Sequence, residues 1–202
     1  MATLRLDAFQ AALANGGARS NLFRATIYWP NAAIEAGADT RIGTDKLTSF
    51  MIKTAQLPGS AINMIEVPFR GRKFKISGDR EYEDWSVNIV NDNNFLVRNA
   101  MERWHDAMTG AASNVPGRGV DTMNFGSYSA NLEVEQLDRS GNPIKLYRLM
   151  GAWPTSVAPI ELSYDMGEVE EFSVNFTYQW FETDTVLDPT TGSFATPTSF
   201  NN

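Results

Sequence analysis

Residues 62–90 read INMIEVPFRGRKFKISGDREYEDWSVNIV and contain the strongest strand signals of the chain. At the end of this stretch, Trp85, Val87 and Ile89 alternate with polar residues, which predicts a half-buried strand with a period of two. Further segments rich in apolar and β-branched residues, bounded by turn residues, also predict strands. These segments are residues 22–29, 50–57, 62–69, 73–76, 128–137, 144–150 and 169–181.

One helix is predicted between these strands, over residues 94–108. Its apolar side chains fall on one stripe that is expected to pack on the sheet: Val97, Met101, Trp104 and Met108. The opposite face carries Arg98, Glu102 and Asp106 and is expected to point outward. The sequence therefore predicts a mostly β fold, a small antiparallel β-barrel or sandwich with one flanking α-helix, an N-terminal arm and long loops.

The chain of 202 residues is predicted to form a single domain over residues 1–188. Residues 1–17 form an arm with Leu6, Phe9 and Leu13 at helical spacing, and few neighbouring residues are available to bury it. Residues 31–46 are expected to be a long loop. Residues 189–202 are expected to be a flexible C-terminal tail.

Composition excludes several classes of function. The chain has no cysteine and one histidine, so a thiolate metal site, a disulfide-stapled fold and a histidine-centred triad are disfavoured. The net charge of −7 argues against general affinity for nucleic acid. No apolar run approaches the ~20 residues that span a bilayer, so no membrane partner is expected.

The charge is uneven along the chain. Residues 1–110 carry 13 Lys and Arg against 12 Asp and Glu, whereas residues 111–202 carry 4 against 12. Eight carboxylates and no cation lie within residues 161–188. The sequence thus predicts a sided electrostatic field, either a solubilising surface or a wall that repels polyanions or docks a basic partner.

No pattern of residues completes a catalytic site. Glu81, Glu83 and Asp84 could supply the pair of carboxylates that glycoside hydrolysis uses. Carboxylates near a turn are, however, far more often solvated or ion-paired, and no other residues complete such a site. His105 lacks ligand spacing. The basic run at residues 70–75 is either a solvated strand face or a surface for phosphate or an acidic protein. We expect no enzymatic activity, no cofactor and no metal.

Several blocks of the sequence, in order and at their spacing, resemble the tail tube proteins of contractile-tailed bacteriophages. The resemblance extends over about residues 5–181 and is related to the tubes of type VI secretion and other contractile injection systems. The blocks are ARSNLF at 18–23, VPFRGRKFKISGDR at 67–80, EDWSVNIVND at 83–92, GAWPTSV at 151–157 and EVEEFSVNF at 168–176.

This resemblance implies a structural protein of the virion tail, assembled in the host cytoplasm, without enzyme activity or cofactor. Hexameric rings of the chain would stack into a hollow tube inside a contractile sheath. The implied partners are further copies of the chain, the tail sheath protein, and baseplate and tail terminator proteins. Phage DNA would pass through the lumen without specific binding during ejection into the host cell.

Three sets of site residues follow as expectations. Contacts between subunits or stacked rings are assigned to Leu6, Phe9, Leu13, Phe50, Met51 and Ile52. The sheath-facing surface is assigned to Arg98, Glu102 and Asp106. The acidic lining of the lumen is assigned to Glu168, Glu170 and Glu182, because weak repulsion lets DNA slide; the basic run at 70–75 is then expected away from the lumen, or paired with carboxylates across a subunit interface.

Two alternatives stay open. The chain could form the inner tube of a phage-derived contractile injection system that delivers protein, which capsid and portal genes nearby would argue against. It could instead be a lectin-like or hydrolytic β-sandwich, which monomers that bind sugar would favour.

Overall fold

The structure, a computed structural model, describes residues 6, 17–30, 48–117, 120, 124–165 and 167–185. Phe9, Leu13, most of the predicted arm, the 31–46 loop and the 189–202 tail lie outside these residues. The strands are β1 (Phe23–Ile27), β2 (Ile52–Ala55), β3 (Ser60–Phe69), β4 (Arg72–Tyr82), β5 (Trp85–Val90), β6 (Ala130–Leu137), β7 (Pro143–Val157), β8 (Glu171–Thr177) and β9 (Trp180–Thr185). The helix α1 spans Leu96–Met108, and a short 3-10 helix spans Phe125–Ser127.

Seven strands pair antiparallel in the order β1-β6-β7-β8-β5-β2, with β9 added to β7. The long strand β7 belongs to both halves of this sheet. Its residues 145–150 pair with β6 and β9, and its residues 153–157 pair with β8. Gly151 lies between the two parts with φ of +62°, a conformation that favours glycine. The described strands therefore form a sandwich-like fold with a flanking helix and no barrel closure.

The core lies between the two halves of the sheet and α1. The alternation predicted for residues 84–90 is confirmed, since Trp85, Val87 and Ile89 are all at most 1% exposed. In β8 the same alternation buries Phe172, Val174 and Phe176. Burying a side chain of this size contributes roughly 1.5–3 kcal/mol, so these strands supply much of the stability.

The predicted helix is confirmed, with its first turn two residues later than expected. The N-cap residue is Phe95, and Oδ1 of Asp92, three residues earlier, accepts a hydrogen bond from the N–H of Leu96, the first helical residue, at 2.9 Å. Val97, Met101 and Trp104 are fully buried, and Met108 packs on the core as a half-buried residue. The Trp104 Nε1–H donates to the Tyr128 carbonyl at 2.7 Å, so this large side chain is buried with its polar group satisfied.

Four strand predictions were wrong in extent. The strand predicted over 144–150 is the fifteen-residue β7, which continues to Val157. Residues 48–51 are helical, so the strand predicted over 50–57 is only β2. The short strand predicted over 73–76 is the eleven-residue β4. The single strand predicted over 169–181 is two strands, since the chain leaves β8 after Thr177 and the Gln179 N–H donates to the Met150 carbonyl at 3.0 Å. That bond carries β9 onto the first part of β7.

Candidate assembly interface

The β3–β4 hairpin stands apart from the rest of the fold. Its two strands pair with each other and with no other described strand. The turn between them places Arg70 and Gly71 at φ of +45° and +83°, the conformation of a tight two-residue hairpin turn. Every residue of β3 is exposed, and in β4 only Gly78 and Tyr82 are not. The hairpin is therefore an arm about 33 Å long that projects into solvent.

One face of this arm is apolar. The register places Ile65 opposite Ile76 and Val67 opposite Phe74, with Phe69 next to the turn. We call these five residues the apolar hairpin face. Their side chains are 42–67% exposed. A two-stranded hairpin is marginal in water, and a contiguous apolar patch marks a surface that another molecule covers.

The opposite face carries Met64 and Pro68 among mostly polar side chains, and the base of the hairpin is anchored. Glu66 and Lys73 form an ion pair on the opposite face, beside Lys75 and Ser77. At the base, the Tyr82 ring packs on Tyr178 with centroids 5.9 Å apart, and on Phe181. The arm is thus held to the body at one end only, and one of its two faces needs a partner.

A second exposed apolar surface lies in the loop that precedes β8. Residues 159–164 and 168–171, together with Lys53, line an open groove of about 870 Å³, which we call the acidic groove. Leu162, Tyr164 and Val169 expose at least two thirds of their surface there. Carboxylates surround these side chains, and Lys53 pairs with Glu171 at 2.5 Å. The groove therefore combines apolar anchors with negative charge.

The residues expected at subunit contacts differ in their placement. Leu6 and Phe50 are exposed, at 72% and 86%. Met51 is half-buried against the core. Ile52 is 7% exposed and pairs with Ile89, so its side chain belongs to the chain's own core rather than to a free surface.

The face of α1 expected to point outward does so only in part. Glu102 and Asp106 are exposed, and Asp106 accepts a hydrogen bond from the Ala111 N–H at 2.9 Å. The Arg98 side chain is 17% exposed and folds inward. Its Nη1–H donates to the Ala158 carbonyl at 2.6 Å, and its guanidinium lies 5.1 Å from the centre of the Phe172 ring. Arg98 therefore ties the helix to the sheet instead of facing a partner freely.

The acidic residues expected in the lumen lie in two places. Glu168 is exposed in the acidic groove, whereas Glu170 is half-buried and accepts a hydrogen bond from the Asn91 side chain at 2.9 Å. Glu182 is exposed on β9, opposite Arg148 in the register.

Glu182 belongs to a charged face of the first half of the sheet. On that face Arg148 pairs with Glu133 and Asp184, and Arg24 pairs with Glu135. Glu182 adds a further carboxylate, so carboxylates outnumber guanidinium groups on this face. The net charge of this face is therefore negative.

Sequence reasoning missed the apolar hairpin face. The sequence predicts strands over 62–69 and 73–76 but assigns no partner to their apolar side chains. The signal was nevertheless present, because a tight turn at residues 70–71 forces both alternations onto one face of one hairpin. The sequence could not show that no third strand of the described residues pairs beside the hairpin.

The described residues offer little for catalysis. Glu81 accepts a hydrogen bond from Asn63, and Asp84 accepts one from Thr177. Within the described ranges no group of three or more acidic, histidine or cysteine side chains is placed to hold a metal ion. In the same part of the chain, no helix is both long enough and apolar enough to cross a membrane.

Comparisons with known proteins agree on one kind of relative. A family model described as phage tail tube protein matches residues 18–184. The chain is 29% identical over 175 residues to the tail tube protein of Serratia phage KSP90, which covers 86% of this chain and 90% of that protein. It is 27% identical over 136 residues to tail tube protein gp19 of Enterobacteria phage T4, covering 66% and 80%.

Solved structures share the fold at low sequence identity. A chain of the anti-feeding prophage baseplate superimposes with a TM-score of 0.59 at 13% identity, covering 83% of this chain and 95% of that chain. A chain of the PVC sheath–tube complex, an extracellular contractile injection system in its extended state, gives 0.55 at 10% identity, covering 87% and 97%.

Proposed function

The chain belongs to the phage tail tube protein family, and from this premise we propose that six copies form a ring and that the rings stack into a hollow tube. The chain is a structural subunit of a phage tail tube. The proposal adds the six-fold ring, a contractile sheath around the tube, and passage of phage DNA through the lumen into the host cell.

The apolar hairpin face is the single observation that carries the assembly. Five side chains, from Ile65 to Ile76, are exposed on an arm that the body of the chain does not cover. At roughly 25 cal/mol per Å² of apolar surface buried, covering such a face gives a strong drive toward association. Identical subunits that cover each other's arms in a head-to-tail manner produce a closed ring or an open stack.

The proposed partners follow from the same assembly. Chains of similar fold lie in a sheath–tube complex, a baseplate and a tube-terminating cap of other contractile systems. These similarities support a sheath outside the tube and baseplate and terminator proteins at its ends. Glu102 and Asp106, exposed on α1, are the proposed contacts with the sheath.

The proposed lumen lining is the charged face that contains Glu182. DNA carries one negative charge per ~1.7 Å of its axis, so a cationic lining would hold it by counterion release. Ion pairs on this face occupy both Arg24 and Arg148, and the four carboxylates Glu133, Glu135, Glu182 and Asp184 leave two negative charges in excess. Weak repulsion over ~8 Å at physiological salt would let DNA slide.

The experiment compares the wild-type protein with the double variant Val67→Ser/Phe74→Ser. Wild-type protein is expected to form rings or tubes in negative-stain images and to sediment as large particles. The double variant is expected to stay monomeric with unchanged circular dichroism, because both residues are exposed in the free chain. Glu66→Gln, on the opposite face of the hairpin, is the matched control and should assemble. Wild-type protein that stays monomeric at all concentrations would refute the proposal.

A tube that delivers protein is the second candidate. It has the same fold as the injection-system chains, and fold alone does not separate the two. The sequence relatives of higher identity are tail tube proteins of phages, which supports the DNA conduit. Purified particles that contain DNA and a capsid would decide for the phage tail.

A further inference from the structure

The tip of the hairpin combines exposed aromatic rings with unpaired positive charge. Phe69 and Phe74 are 67% and 65% exposed, on the two strands beside the turn. Residues 70–75 carry four cations. Arg72 lies on the same face as the rings, opposite Phe69 in the register, whereas Lys73 and Lys75 lie on the other face. Among the described residues only Lys73 has a carboxylate partner, namely Glu66. The guanidinium of Arg70 lies 5.5 Å from the centre of the Phe69 ring. We call residues 69–75 the hairpin tip.

The acidic groove has the complementary composition. Its apolar anchors are Leu162, at 78% exposed, Val169, at 69%, and Tyr164, which is fully exposed. Glu161, Asp165 and Glu168 are exposed beside them and make no ion pair with any described residue. With a volume of about 870 Å³ the groove has room for several aromatic side chains.

The two surfaces do not meet within one chain. The groove is lined by Lys53 and residues of the 159–171 loop, and no residue of the hairpin tip contributes to it. The two surfaces nevertheless match in both respects that matter for a specific contact. Both surfaces present exposed apolar side chains. The hairpin tip adds cations, and the acidic groove adds carboxylates, that have no ion-pair partner among the described residues.

We propose that the hairpin tip of one copy docks in the acidic groove of a second copy. Phe69 and Phe74 pack against Leu162, Tyr164 and Val169. The tip cations pair with the carboxylates at the edge of the groove, which fixes the orientation of the arm and excludes a wrong partner of like charge. The contact is head-to-tail, so each subunit offers one tip and one groove, and the array continues from copy to copy.

This inference rests on the proposed tube, and it assigns a different role to Glu168. Sequence analysis places Glu168 in the lumen, whereas here it binds the arm of a neighbour. The basic run at residues 70–75 is then neutralised across a subunit interface and does not face the DNA path. The acidic excess of residues 161–171 thereby becomes a docking surface instead of a lining.

The absence of cysteine from the chain makes the contact directly testable. One variant carries Phe74→Cys and a second carries Leu162→Cys, both at exposed positions where the fold should tolerate the change. The two variants are mixed as monomers, allowed to assemble, and oxidised. We expect a disulfide-linked dimer in the mixture that neither variant gives alone. Phe74→Cys mixed with Val115→Cys, whose position is 59% exposed but outside the groove, is the matched control and should give no such dimer.

A charge reversal provides an independent readout. Arg70→Glu/Arg72→Glu and Glu161→Arg/Glu168→Arg are each expected to lose tube formation when alone. A chain that carries all four changes should recover it, because the attraction is restored with its sign reversed. Tubes that form from either double variant as readily as from wild type would contradict the proposal.

The possible outcomes distinguish a failure of the docking inference from a failure of the proposed function. Wild-type tubes without a 74–162 disulfide above the control overturn the docking inference and leave the proposed function intact. A further variant carries both Phe74→Cys and Leu162→Cys. A disulfide that forms within one chain of this variant, and never between two chains, also overturns the docking inference. Wild-type protein that never assembles overturns the proposed function, and the docking inference falls with it.

Discussion

Gly151 lies directly against the ring of Phe125. A Cβ built on Gly151 would stand 2.3 Å from Cε1 of Phe125, and the backbone φ at Gly151 is +62°. Phe125 in turn packs edge-on against Trp153, with ring centroids 5.7 Å apart. The point at which β7 passes from one half of the sheet to the other therefore admits no side chain.

Replacing Gly151 by alanine is expected to destabilise the fold by about 2–5 kcal/mol. Positive φ contributes ~1–2 kcal/mol, and displacement of the Phe125 ring adds an overpacking term of ~1–3 kcal/mol. Urea unfolding in the non-assembling Val67→Ser/Phe74→Ser background measures it. Gly141→Ala is the control, because Gly141 has φ of +84° but no atom within 4 Å of its Cβ position, and it should lose only the first contribution. Equal losses at both positions would contradict the close contact.

Replacing Trp104 by alanine is expected to lower the free energy of unfolding by ~3–5 kcal/mol. Trp104 is fully buried and packs on Trp29 and Phe176 at centroid distances of 5.8 and 6.1 Å. Trp180→Ala, at a residue 46% exposed, is the matched control and should lose much less. A loss at Trp104 no greater than that at Trp180 would show that the helix does not pack as described.

Replacing Arg98 by methionine is expected to lower stability by about 1–3 kcal/mol. Methionine keeps the apolar stem, so the loss reports the charged hydrogen bond to Ala158 and the contact with the Phe172 ring. Glu102→Gln breaks only the ion pair between Arg98 and Glu102, one helical turn apart, and such a pair is worth ~0.3–0.5 kcal/mol. Similar small losses for both variants would place Arg98 on the outer surface, as the sequence suggested.

Deletion of residues 1–15 is expected to impair tube growth while leaving the core intact. Leu6 is exposed, and no residue of the deleted segment belongs to the described core. Electron microscopy measures tube length, and urea unfolding measures stability. Truncation of residues 190–202 is the control for loss of a chain end. Tubes of unchanged length after the N-terminal deletion would show that the arm takes no part in assembly.

The stability of the fold is expected to fall between pH 10 and 12 through Tyr178. Burial of its ring, with the nearby phenol of Tyr82 and carboxylates of Glu83 and Asp84, raises the pKa of Tyr178 to about 12. The folded state then keeps a proton that the unfolded state loses near pH 10, so unfolding becomes easier until the pH passes the folded-state pKa. Tyr178→Phe removes this contribution. The difference in unfolding free energy between wild type and Tyr178→Phe should be flat below pH 9 and decline above pH 10; a flat difference throughout contradicts it.

Local patterns predicted the parts of the fold that are stabilised locally. The stripe from Val97 to Met108 and the alternation from Trp85 to Ile89 each report burial on one face, and the structure buries both as expected. The break between β8 and β9 was not predictable, because Tyr178 continues the apolar alternation of β8 while the Gln179 backbone is captured by Met150. That capture depends on a strand about 30 residues earlier.

The candidate site was predicted less well than the fold. Ile52 and Phe50 are two residues apart with similar character, yet Ile52 pairs with Ile89 and is buried, whereas Phe50 lies in the helical residues 48–51 and is exposed. Arg98 looks like a surface cation on a helical wheel, yet the carbonyl of Ala158, directly after β7, lies close enough to accept its hydrogen bond. In both cases a segment distant in sequence determines whether the side chain is buried. Local spacing of residues carries no information about the position of that segment.

The double membership of β7 has a mechanical consequence. Because one continuous backbone pairs with β6 and β9 and then with β8, a load applied to one half of the sheet reaches the other through covalent bonds and not through side-chain contact alone. Hydrogen bonds of antiparallel strands lie perpendicular to the strand axis, so a pull along β7 shears many of them at once instead of opening them in sequence. The subunit is therefore expected to resist deformation best along this one strand.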